Sequence, residues 1–286
     1  VVIILVLAFF SYEQKEAKIL FVGDMMFDRY IRQVGEKKGE NFVFSCIDNF
    51  LKDSDLVVGN LEGPITDSPS ISMGSAIESP ENYTFTFPPT TAKLLAKNNI
   101  KLVNLGNNHM LNLSRDGLLQ TKKYLEEAGV KYFGDPDSVE EDKVARMELG
   151  GLPVSFVNWS DWNSDNTDIT AAQIKKETES GRKVFVYAHW GEEYVLPPER
   201  VRRLAHSFVD VGAEIVIGSH PHIVQEKEIY KNKIIYYSLG NFIFDQYWNK
   251  EVSTGLVLEL DIKGDNIKII EHKVSLNRDG RTCLVK

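Results

Sequence analysis

Residues 215–222, which read IVIGSHPH, decide the fold: an apolar run ends directly in a polar cluster. Short apolar runs rich in β-branched residues are typical of strands that are buried on both faces. The same arrangement recurs five more times along the chain. The other runs are ILFV before Gly23-Asp24, DLVV before GNLE (59–62), KLVNL shortly before NNH (107–109), VFVY shortly before HWGEE (189–193) and IIYY shortly before GNF (240–242).

Helical patterns lie between several of these runs. Amphipathic spacing predicts helices over residues 90–99, 116–128 and 198–211, and Gly129 and Gly212 follow the last two as stop signals. Alternation of strands and helices indicates an α/β fold. Towards the end, short turns separate four further strand candidates, which predicts antiparallel hairpins added to the sheet over residues 223–229, 233–238, 254–262 and 266–275.

The polar clusters predict a metal site at one edge of the sheet. In open α/β proteins, ligands bind beyond the carboxyl ends of the strands, so residues far apart in sequence are expected to meet there. The residues expected to meet are an Asp, a Glu, an Asn and four His, namely Asp24, Glu62, Asn108, His109, His189, His220 and His222. This mixed set of nitrogen and oxygen ligands favours one or two ions of Mn, Fe or Zn over Ca or Mg.

Each cluster also has an ordinary structural explanation. The Asn-rich stretch 107–109 is typical of a turn that caps a helix, and a single His such as His189 at the end of an apolar strand is commonly a core residue. For His220 and His222 we expect extended backbone, on which residues two apart point the same way, with Pro221 limiting the chain between them. The shared position at strand ends favours the metal site.

Read in order, the clusters are GD, GNLEGP, NNH, HWGEEY, GSHPH and SLGNFIFD. This series resembles the bacterial capsule-synthesis CapA family, also called the PgsA type, which is related to the calcineurin-like metallophosphoesterases. The resemblance runs from about residue 19 to about residue 245, which is most of the chain. It implies a four-layered α/β/β/α sandwich of metallophosphoesterase type, with mixed sheets and a metal site at the strand ends.

The resemblance also implies roles for single residues. Glu62, or as the less favoured alternative Asn60, matches the bridging carboxylate of the phosphoesterases. His109 matches their general acid and Asn108 the metal ligand beside it. The other metal ligands that the resemblance implies are Asp24, His189, His220 and His222. Glu193, Asn241 and Asp245 match positions typical of the capsule family. Catalysis is assigned to Asn108, His109 and Glu193, and substrate binding to Asn60, Asn241 and Asp245.

Two departures from the phosphoesterase pattern leave two functions open. Met26 stands where those enzymes usually have a His ligand, and Gly59-Asn60-Leu61-Glu62 replaces their Gly-Asp-x-x-Asp. One function is an exported metal-dependent hydrolase, in which water attacks a phosphoryl or acyl centre and His109 protonates the leaving group. The alternative is an accessory protein of capsule or poly-γ-glutamate assembly that binds the polymer or membrane-bound synthase subunits without turnover.

Composition narrows the partners. The 286 residues are 43% hydrophobic, enough for one large core, and the net charge is −8 without a block of Lys and Arg. A nucleic-acid partner is therefore not expected. The family resemblance, rather than the composition, implies an anionic polymer or a phosphoester as the substrate. Cys46 and Cys283 belong to no Cys-x-x-Cys pair and are predicted to be unpaired structural thiols rather than a disulfide. His206 and His272 are interpreted as structural or solvated.

Two segments carry predictions of their own. Residues 1–10 are wholly apolar and a polar stretch follows, which predicts the remnant of a signal peptide or membrane anchor over residues 1–15. A single domain over residues 16–286, anchored at the cell envelope outside the cytoplasm, is then expected; the alternative for residues 1–10 is a buried first strand. The Pro-, Ser- and Thr-rich stretch 63–89 is predicted to be a lid or substrate-binding loop, or else a mobile surface loop.

Overall fold

The computed structural model describes residues 15–138, 143–162 and 166–285. In chain order the strands are β1 (Glu16–Met25), β2 (Leu56–Leu61), β3 (Ile100–Asn104), β4 (Lys131–Phe133), β5 (Val144–Leu149), β6 (Leu152–Ser160), β7 (Lys183–His189), β8 (Ile215–Ser219), β9 (Lys227–Tyr230), β10 (Lys233–Tyr236), β11 (Asn241–Ile243), β12 (Thr254–Lys263), β13 (Asn266–Leu276) and β14 (Thr282–Leu284). The α-helices are α1 (Arg29–Lys38), α2 (Asp48–Lys52), α3 (Thr90–Lys97), α4 (Ser114–Glu127), α5 (Thr167–Glu179) and α6 (Glu199–Asp210).

The strands form two mixed sheets. The first has the order β14-β13-β12-β1-β2-β3-β4, and β11 pairs in parallel with the end of β1. The second has the order β5-β6-β7-β8-β10-β9. Strands β1 to β4 run parallel to one another, as do β6, β7, β8 and β10, so their carboxyl ends point to one edge of each sheet.

An apolar core fills each of the three interfaces between layers. The residues of β1 are apolar at successive positions because the strand is buried on both faces. Ile19 and Phe21 face the core between the two sheets, where Phe21 lies 5.7 Å from Phe185 of β7, measured between ring centroids. The alternate residues Leu20 and Val22 face the core beneath α1, α3 and α4. A third core packs the second sheet against α5 and α6. The predicted four-layered α/β/β/α sandwich is confirmed.

The predicted helices and late strands are present with shifted ends. Helix α3 ends at Lys97 and α4 begins at Ser114, while Gly129 and Gly212 follow α4 and α6 with positive φ angles of 71° and 114°. The hairpins β9–β10 and β12–β13 are antiparallel as expected, but they extend two different sheets. Only the last part of the candidate 223–229 is a strand, since β9 begins at Lys227.

The prediction that the two cysteines are unpaired thiols is wrong, because Cys46 and Cys283 form a disulfide. They are 237 positions apart, and nothing in their spacing indicates a pair. The fold brings them together by laying Cys46 alongside Cys283 of the edge strand β14 in a parallel bridge.

The predicted envelope location with an N-terminal anchor is not upheld. Crossing a bilayer takes about 20 apolar residues in a helix. Within the three described ranges no helix is long and apolar enough for that, and α4, with 14 residues, is the longest of them. Residues 1–10, on which the prediction was based, lie outside the described residues. The boundary between residues 15 and 16 stays a prediction.

A close approach of two strands sets the position of Asp24. A Cβ atom on Gly23 would lie 1.8 Å from the Gly240 carbonyl oxygen, so only glycine fits there. The Asp24 amide donates to that same oxygen at 3.1 Å. As a result Asp24 sits in register between Asn60 of β2 and Asn241 of β11.

Candidate metal centre

The six predicted ligands meet at the carboxyl edge of the two sheets. Asp24 lies near the end of β1, Glu62 directly follows β2, and His189 is the last residue of β7. Asn108 lies in the loop after β3, and His220 and His222 lie in the turn after β8. All but Asn108, which is half-buried, are almost fully buried.

The acidic and imidazole side chains form two groups that share Glu62. In the first, His222 Nδ1 lies 3.5 Å from Asp24 Oδ2, and His222 Nε2 lies 3.5 Å from Glu62 Oε1. The second consists of Glu62, His189 and His220, and in each group the ligand atoms lie within 4.8 Å of one another. Asn108 Oδ1 adjoins the second group, 2.8 Å from His189 Nε2. This arrangement fits two neighbouring ions with one carboxylate between them.

Unpartnered ligand atoms support a metal at these positions. Glu62 Oε1 and His220 Nδ1 are buried and have no hydrogen-bond partner among the residues that the structure describes. Leaving such a group unsatisfied costs about 1–3 kcal/mol, and more when the group is charged. A cation would satisfy both atoms, and the imidazole and carboxylate donors suit Mn, Fe or Zn.

The electrostatics of the cluster also suit a cation. Burial raises the pKa of the Asp24 carboxyl to about 7, and burial together with the charge of Asp24 raises the pKa of Glu62 well above its usual range. Burial lowers the pKa of His220 and of His222 to about 3, and that of His189 falls well below its ordinary value for the same reason. Bound cations would favour the ionised carboxylates and keep the imidazoles neutral.

The turn that carries the two neighbouring histidines differs from the extended backbone predicted for it. Strand β8 ends at Ser219, and His220 and His222 have φ angles of 94° and 58°, in the left-handed region. The His220 amide donates to Asp24 Oδ2 at 3.1 Å, and the Tyr194 amide donates to the Pro221 carbonyl at 3.0 Å, which hold the turn. The two imidazoles consequently belong to different groups rather than facing a single ion.

His109 lies beside the cluster without being part of either group. Its Nδ1 lies 3.0 Å from Asn112 Oδ1, and its ring packs against that of Phe85 at an angle of 35°, with the centroids 4.3 Å apart. Burial lowers the pKa of His109 to about 4, while the charge of Glu193 opposes that shift. Asn112 did not stand out in the sequence, although its position three residues after His109 is a spacing at which a turn brings side chains together.

The remaining predicted residues lie around the cluster. Asn60 and Asn241 are fully buried and bonded to protein groups: Asn60 Nδ2 donates to Asp24 Oδ1 at 2.8 Å, and Asn241 Oδ1 lies 2.9 Å from His222 Nδ1. Asp245 pairs with Arg29 through both of its carboxylate oxygens. Glu193 lies on an exposed turn, and its charge raises the pKa of Asp24. Substrate contacts by Asn60, Asn241 and Asp245 stay predictions.

The stretch 63–89 is tied to the body of the protein beside the site. The buried carboxylate of Asp28 accepts hydrogen bonds from Ser70 Oγ at 2.6 Å, Ser72 Oγ at 2.8 Å and the Thr86 amide at 2.9 Å. These bonds fix the segment that carries Phe85 against His109. Sequence reasoning missed Asp28, whose only signal is its position shortly after the predicted first strand.

Exposed aromatic side chains lie next to the histidines of the cluster. Trp162 lies 4.2 Å from the His220 ring and 5.4 Å from the His189 ring, measured between centroids. Tyr194 lies 6.0 Å from the His222 ring and 5.6 Å from the ring of Trp248. All three side chains are more than 40% exposed.

The part of the chain that carries the site is similar in sequence to known proteins. The family model described as bacterial capsule synthesis protein PGA_cap matches residues 18–246. The capsule biosynthesis protein CapA of Bacillus anthracis is 31% identical over 265 residues, which cover 86% of this chain and 64% of that protein. The PGA biosynthesis protein CapA of Bacillus subtilis strain 168 is 28% identical over 264 residues, which cover 86% of this chain and 68% of that protein. This chain thus spans about two thirds of the length of these relatives.

Among solved structures, Vps29 of Chaetomium thermophilum aligns with a TM-score of 0.33 at 14% identity, covering 69% of this chain and 82% of that one. A likeness this weak carries no argument.

Proposed function

We propose, from the premise that this chain belongs to the bacterial capsule synthesis protein family PGA_cap, that its strand-end cluster is a metal-dependent hydrolytic site. The substrate class that we propose is a phosphoester or an acyl bond of an anionic polymer in capsule or poly-γ-glutamate biosynthesis. The observation that carries the proposal is the pair of buried ligand groups that share Glu62.

The proposed ligands are assigned to two neighbouring ion positions. Asp24, Glu62 and His222 would hold one ion, and Glu62, His189 and His220, with Asn108 beside them, would hold the other. Divalent metals supply Lewis acidity and lower the pKa of water to near neutrality. The shared Glu62 would keep the two ions at a short separation.

His109 is the proposed proton donor to the leaving group. An amide oxygen only accepts, so Asn112 Oδ1 holds the proton on His109 Nδ1 and leaves Nε2 for the proton that is transferred. Phe85 packs against the imidazole and limits its rotation. Burial lowers the pKa of His109, and the hydrogen bond to Asn112 and the charge of Glu193 oppose that shift only in part. The negative charge of a bound substrate beside the imidazole would therefore have to raise the pKa for His109 to act as the donor.

A second candidate function has its own supporting observation. Met26, in the position where phosphoesterases usually have a His ligand, is fully buried, and its sulfur accepts a hydrogen bond from the Asp28 amide at 3.0 Å. The first ion position is therefore one imidazole short. We propose as the alternative a non-catalytic accessory protein that binds the anionic polymer or subunits of the capsule synthase.

Metal analysis and a hydrolase assay test the proposal. Purified protein should contain Mn, Fe or Zn and hydrolyse a generic phosphodiester or a γ-glutamyl peptide. The double variant His220→Ala/His222→Ala should lose its metal and its activity and stay folded. The matched control His206→Ala/His272→Ala should keep both, because these two histidines pair with Glu228 and Glu259 away from the cluster.

Two results would contradict the hydrolase. Full metal content in the His220→Ala/His222→Ala variant would show that the metal lies elsewhere. A metal-loaded parent that turns over neither substrate, but binds poly-γ-glutamate only when loaded, would support the accessory protein instead.

A further inference from the structure

We infer that Asn60 is a positioning residue of the metal centre, held by two other asparagines so that its amide NH2 faces both carboxylates and Glu62 Oε1 is left free to be the shared ligand atom. Asn60, Asn104, Asn107 and Asn158 are termed the amide relay. All four are at most 2% exposed. The inference rests on the proposed function, because it requires that Asp24 and Glu62 bind metal.

The orientation of the relay is fixed by backbone groups, which cannot flip. Asn107 Oδ1 accepts from the amides of His109 at 3.0 Å and Met110 at 2.9 Å, and Asn107 Nδ2 donates to the Leu61 carbonyl at 2.8 Å. Asn104 Oδ1 accepts from the Gly106 amide at 3.1 Å, while its Nδ2 donates to the Gly106 carbonyl at 3.2 Å. In both amides the nitrogen and oxygen ends are therefore determined without ambiguity.

These two amides determine how Asn60 is turned. Asn107 Nδ2 and Asn104 Nδ2 donate to Asn60 Oδ1 at 3.0 Å and 3.1 Å. With its oxygen committed to two donors, Asn60 must present its NH2 group to the metal centre. Asn60 Nδ2 lies 2.8 Å from Asp24 Oδ1 and 3.3 Å from Glu62 Oε2.

This orientation leaves one oxygen of the two carboxylates without a hydrogen bond. Asp24 Oδ1 and Glu62 Oε2 each accept a hydrogen bond from Asn60, whereas Glu62 Oε1 has no partner among the described residues. Glu62 Oε1 is also the atom that faces His222 Nε2. Asn60 itself turns only donors towards the centre, so it cannot be a ligand in this orientation.

The relay continues across the gap between the two sheets. Asn158 of β6 donates through Nδ2 to Asn104 Oδ1 at 2.8 Å. Each amide in the series thus points its NH2 group towards the carboxylates, and hydrogen bonds arranged head to tail in this way polarise one another. The second sheet therefore helps to orient a group on the first, in the middle of a buried site.

The test compares the metal affinity of two relay variants with that of the parent and a control. Asn60→Leu removes the donor to both carboxylates. Asn107→Asp keeps the oxygen that caps His109 and Met110 but replaces the donor to Asn60 with an acceptor, so the Asn60 amide is expected to turn over. The control is Asn98→Leu, which removes a buried amide that is bonded to Asn41 and the Leu94 carbonyl instead.

Affinity for Mn²⁺ and Zn²⁺ is measured by titration of metal-free protein, with melting temperature as the check on folding. Both relay variants should bind metal about 10–100-fold more weakly, the usual effect of losing a group that orients a ligand. Asn98→Leu should lose melting temperature but keep the parent affinity. A merely structural role for Asn60 would lower melting temperature in the same way and leave affinity unchanged.

Several results would overturn the inference. Relay variants that fold and bind metal within about threefold of the parent would do so, as would a crystal structure of the metal-loaded parent with Asn60 Oδ1 on an ion. The crystal structure decides the question even if neither relay variant folds. A parent that binds neither metal would overturn the proposed function together with the inference, whereas a metal-binding parent with unaffected variants would overturn the inference alone.

Discussion

His222 shows at the scale of a residue how a neighbour would select the nitrogen that is available to a metal. Its Nδ1 lies 2.9 Å from Asn241 Oδ1, and Asn241 Nδ2 donates to the Val252 carbonyl at 2.9 Å, so the Asn241 amide cannot be flipped. An oxygen that only accepts requires the proton on Nδ1, which leaves the Nε2 lone pair towards Glu62. The tautomer of a metal ligand is commonly set in this way by its second hydrogen bond.

Removing the imidazole of His109 should impair chemistry and leave binding intact. His109→Ala is expected to keep its metal and to lose about 10²–10⁴-fold in kcat on a substrate with a poor leaving group, because a general acid contributes about that much. A nitrophenyl ester needs little protonation and should lose far less. The measurement is kcat for both substrates, together with metal content. An equal loss on both substrates would exclude His109 as the proton donor.

The buried imidazoles and carboxyls make the stability of the metal-free protein depend on pH with opposite signs. The lowered pKa of His220 and of His222, both about 3, means that the unfolded chain takes up protons below pH 6.5 that the folded chain refuses, so acid destabilises the fold. His189 and His109 act in the same direction. Asp24, with its pKa raised to about 7, acts oppositely, since its contribution is lost as pH rises from about 4 to 7.

Four imidazoles outweigh the two carboxyls Asp24 and Glu62. The melting temperature of metal-free protein should therefore fall as pH is lowered from 6.5 to 5. The double variant His220→Ala/His222→Ala should show a much shallower dependence, because two imidazoles then oppose two carboxyls. Melting curves of both proteins at matched ionic strength measure this. A parent that becomes more stable on acidification in this window would contradict the predicted balance.

At the scale of elements, the Asp28 carboxylate joins the stretch 63–89 to α1. It accepts bonds from two serines and an amide of that stretch, and it also forms an ion pair with Arg32 of α1 at 3.0 Å. Its side chain is fully buried, and that of Arg32 is 12% exposed. The Phe85 amide adds a second attachment close to His109, because it donates to Asn112 Oδ1 at 2.9 Å.

Removing the Asp28 carboxylate should destabilise the fold. Asp28→Ala is expected to lower the free energy of unfolding by about 3–5 kcal/mol, the usual effect of removing one partner of a buried ion pair. Asp48→Ala is the matched control, because Asp48 pairs with Lys52 at the surface and should cost about 0.5 kcal/mol. Denaturant titration measures both. Similar losses in the two variants would contradict a special role for Asp28.

At the scale of the whole molecule, the disulfide closes nearly the entire chain into one loop. Cys46 precedes α2, and Cys283 lies on the edge strand β14, 237 positions away. A cross-link across a loop of this length removes much of the freedom of the unfolded chain. The strand β14 at the edge of the first sheet is thereby tied to the helical layer that covers it.

Loss of the disulfide should destabilise the whole domain. Cys46→Ala/Cys283→Ala is expected to lower the free energy of unfolding by about 2–5 kcal/mol. Reducing agent should destabilise the parent by a similar amount and leave the double variant unchanged. Denaturant titration with and without reductant gives these values. Equal stability of reduced and oxidised parent would show that the cross-link is not formed in solution.

The sequence alone predicts much of the fold and which residues meet in the candidate metal centre. The runs before Asp24, His189 and His220 are apolar at every position because their strands are buried on both faces, and this signal is local. Parallel strands end at one edge, so the residues that follow them meet there whatever the details of the loops. For this reason Asp24, Glu62, His189, His220 and His222 could be grouped before any coordinates.

Only the tertiary structure decides how those residues are partitioned and oriented. His220 and His222 belong to different groups because their turn is left-handed, a property that depends on bonds to Asp24 and Tyr194 from distant parts of the chain. The partners Asn112 and Asn241, the pairing of Cys46 with Cys283, and the orientation of the Asn60 amide are likewise set by contacts between elements. The local sequence shows which positions along a strand or helix are buried. The direction of a hydrogen bond and the pairing of cysteines depend instead on which groups the folded chain brings together, within about 3 Å for a hydrogen bond.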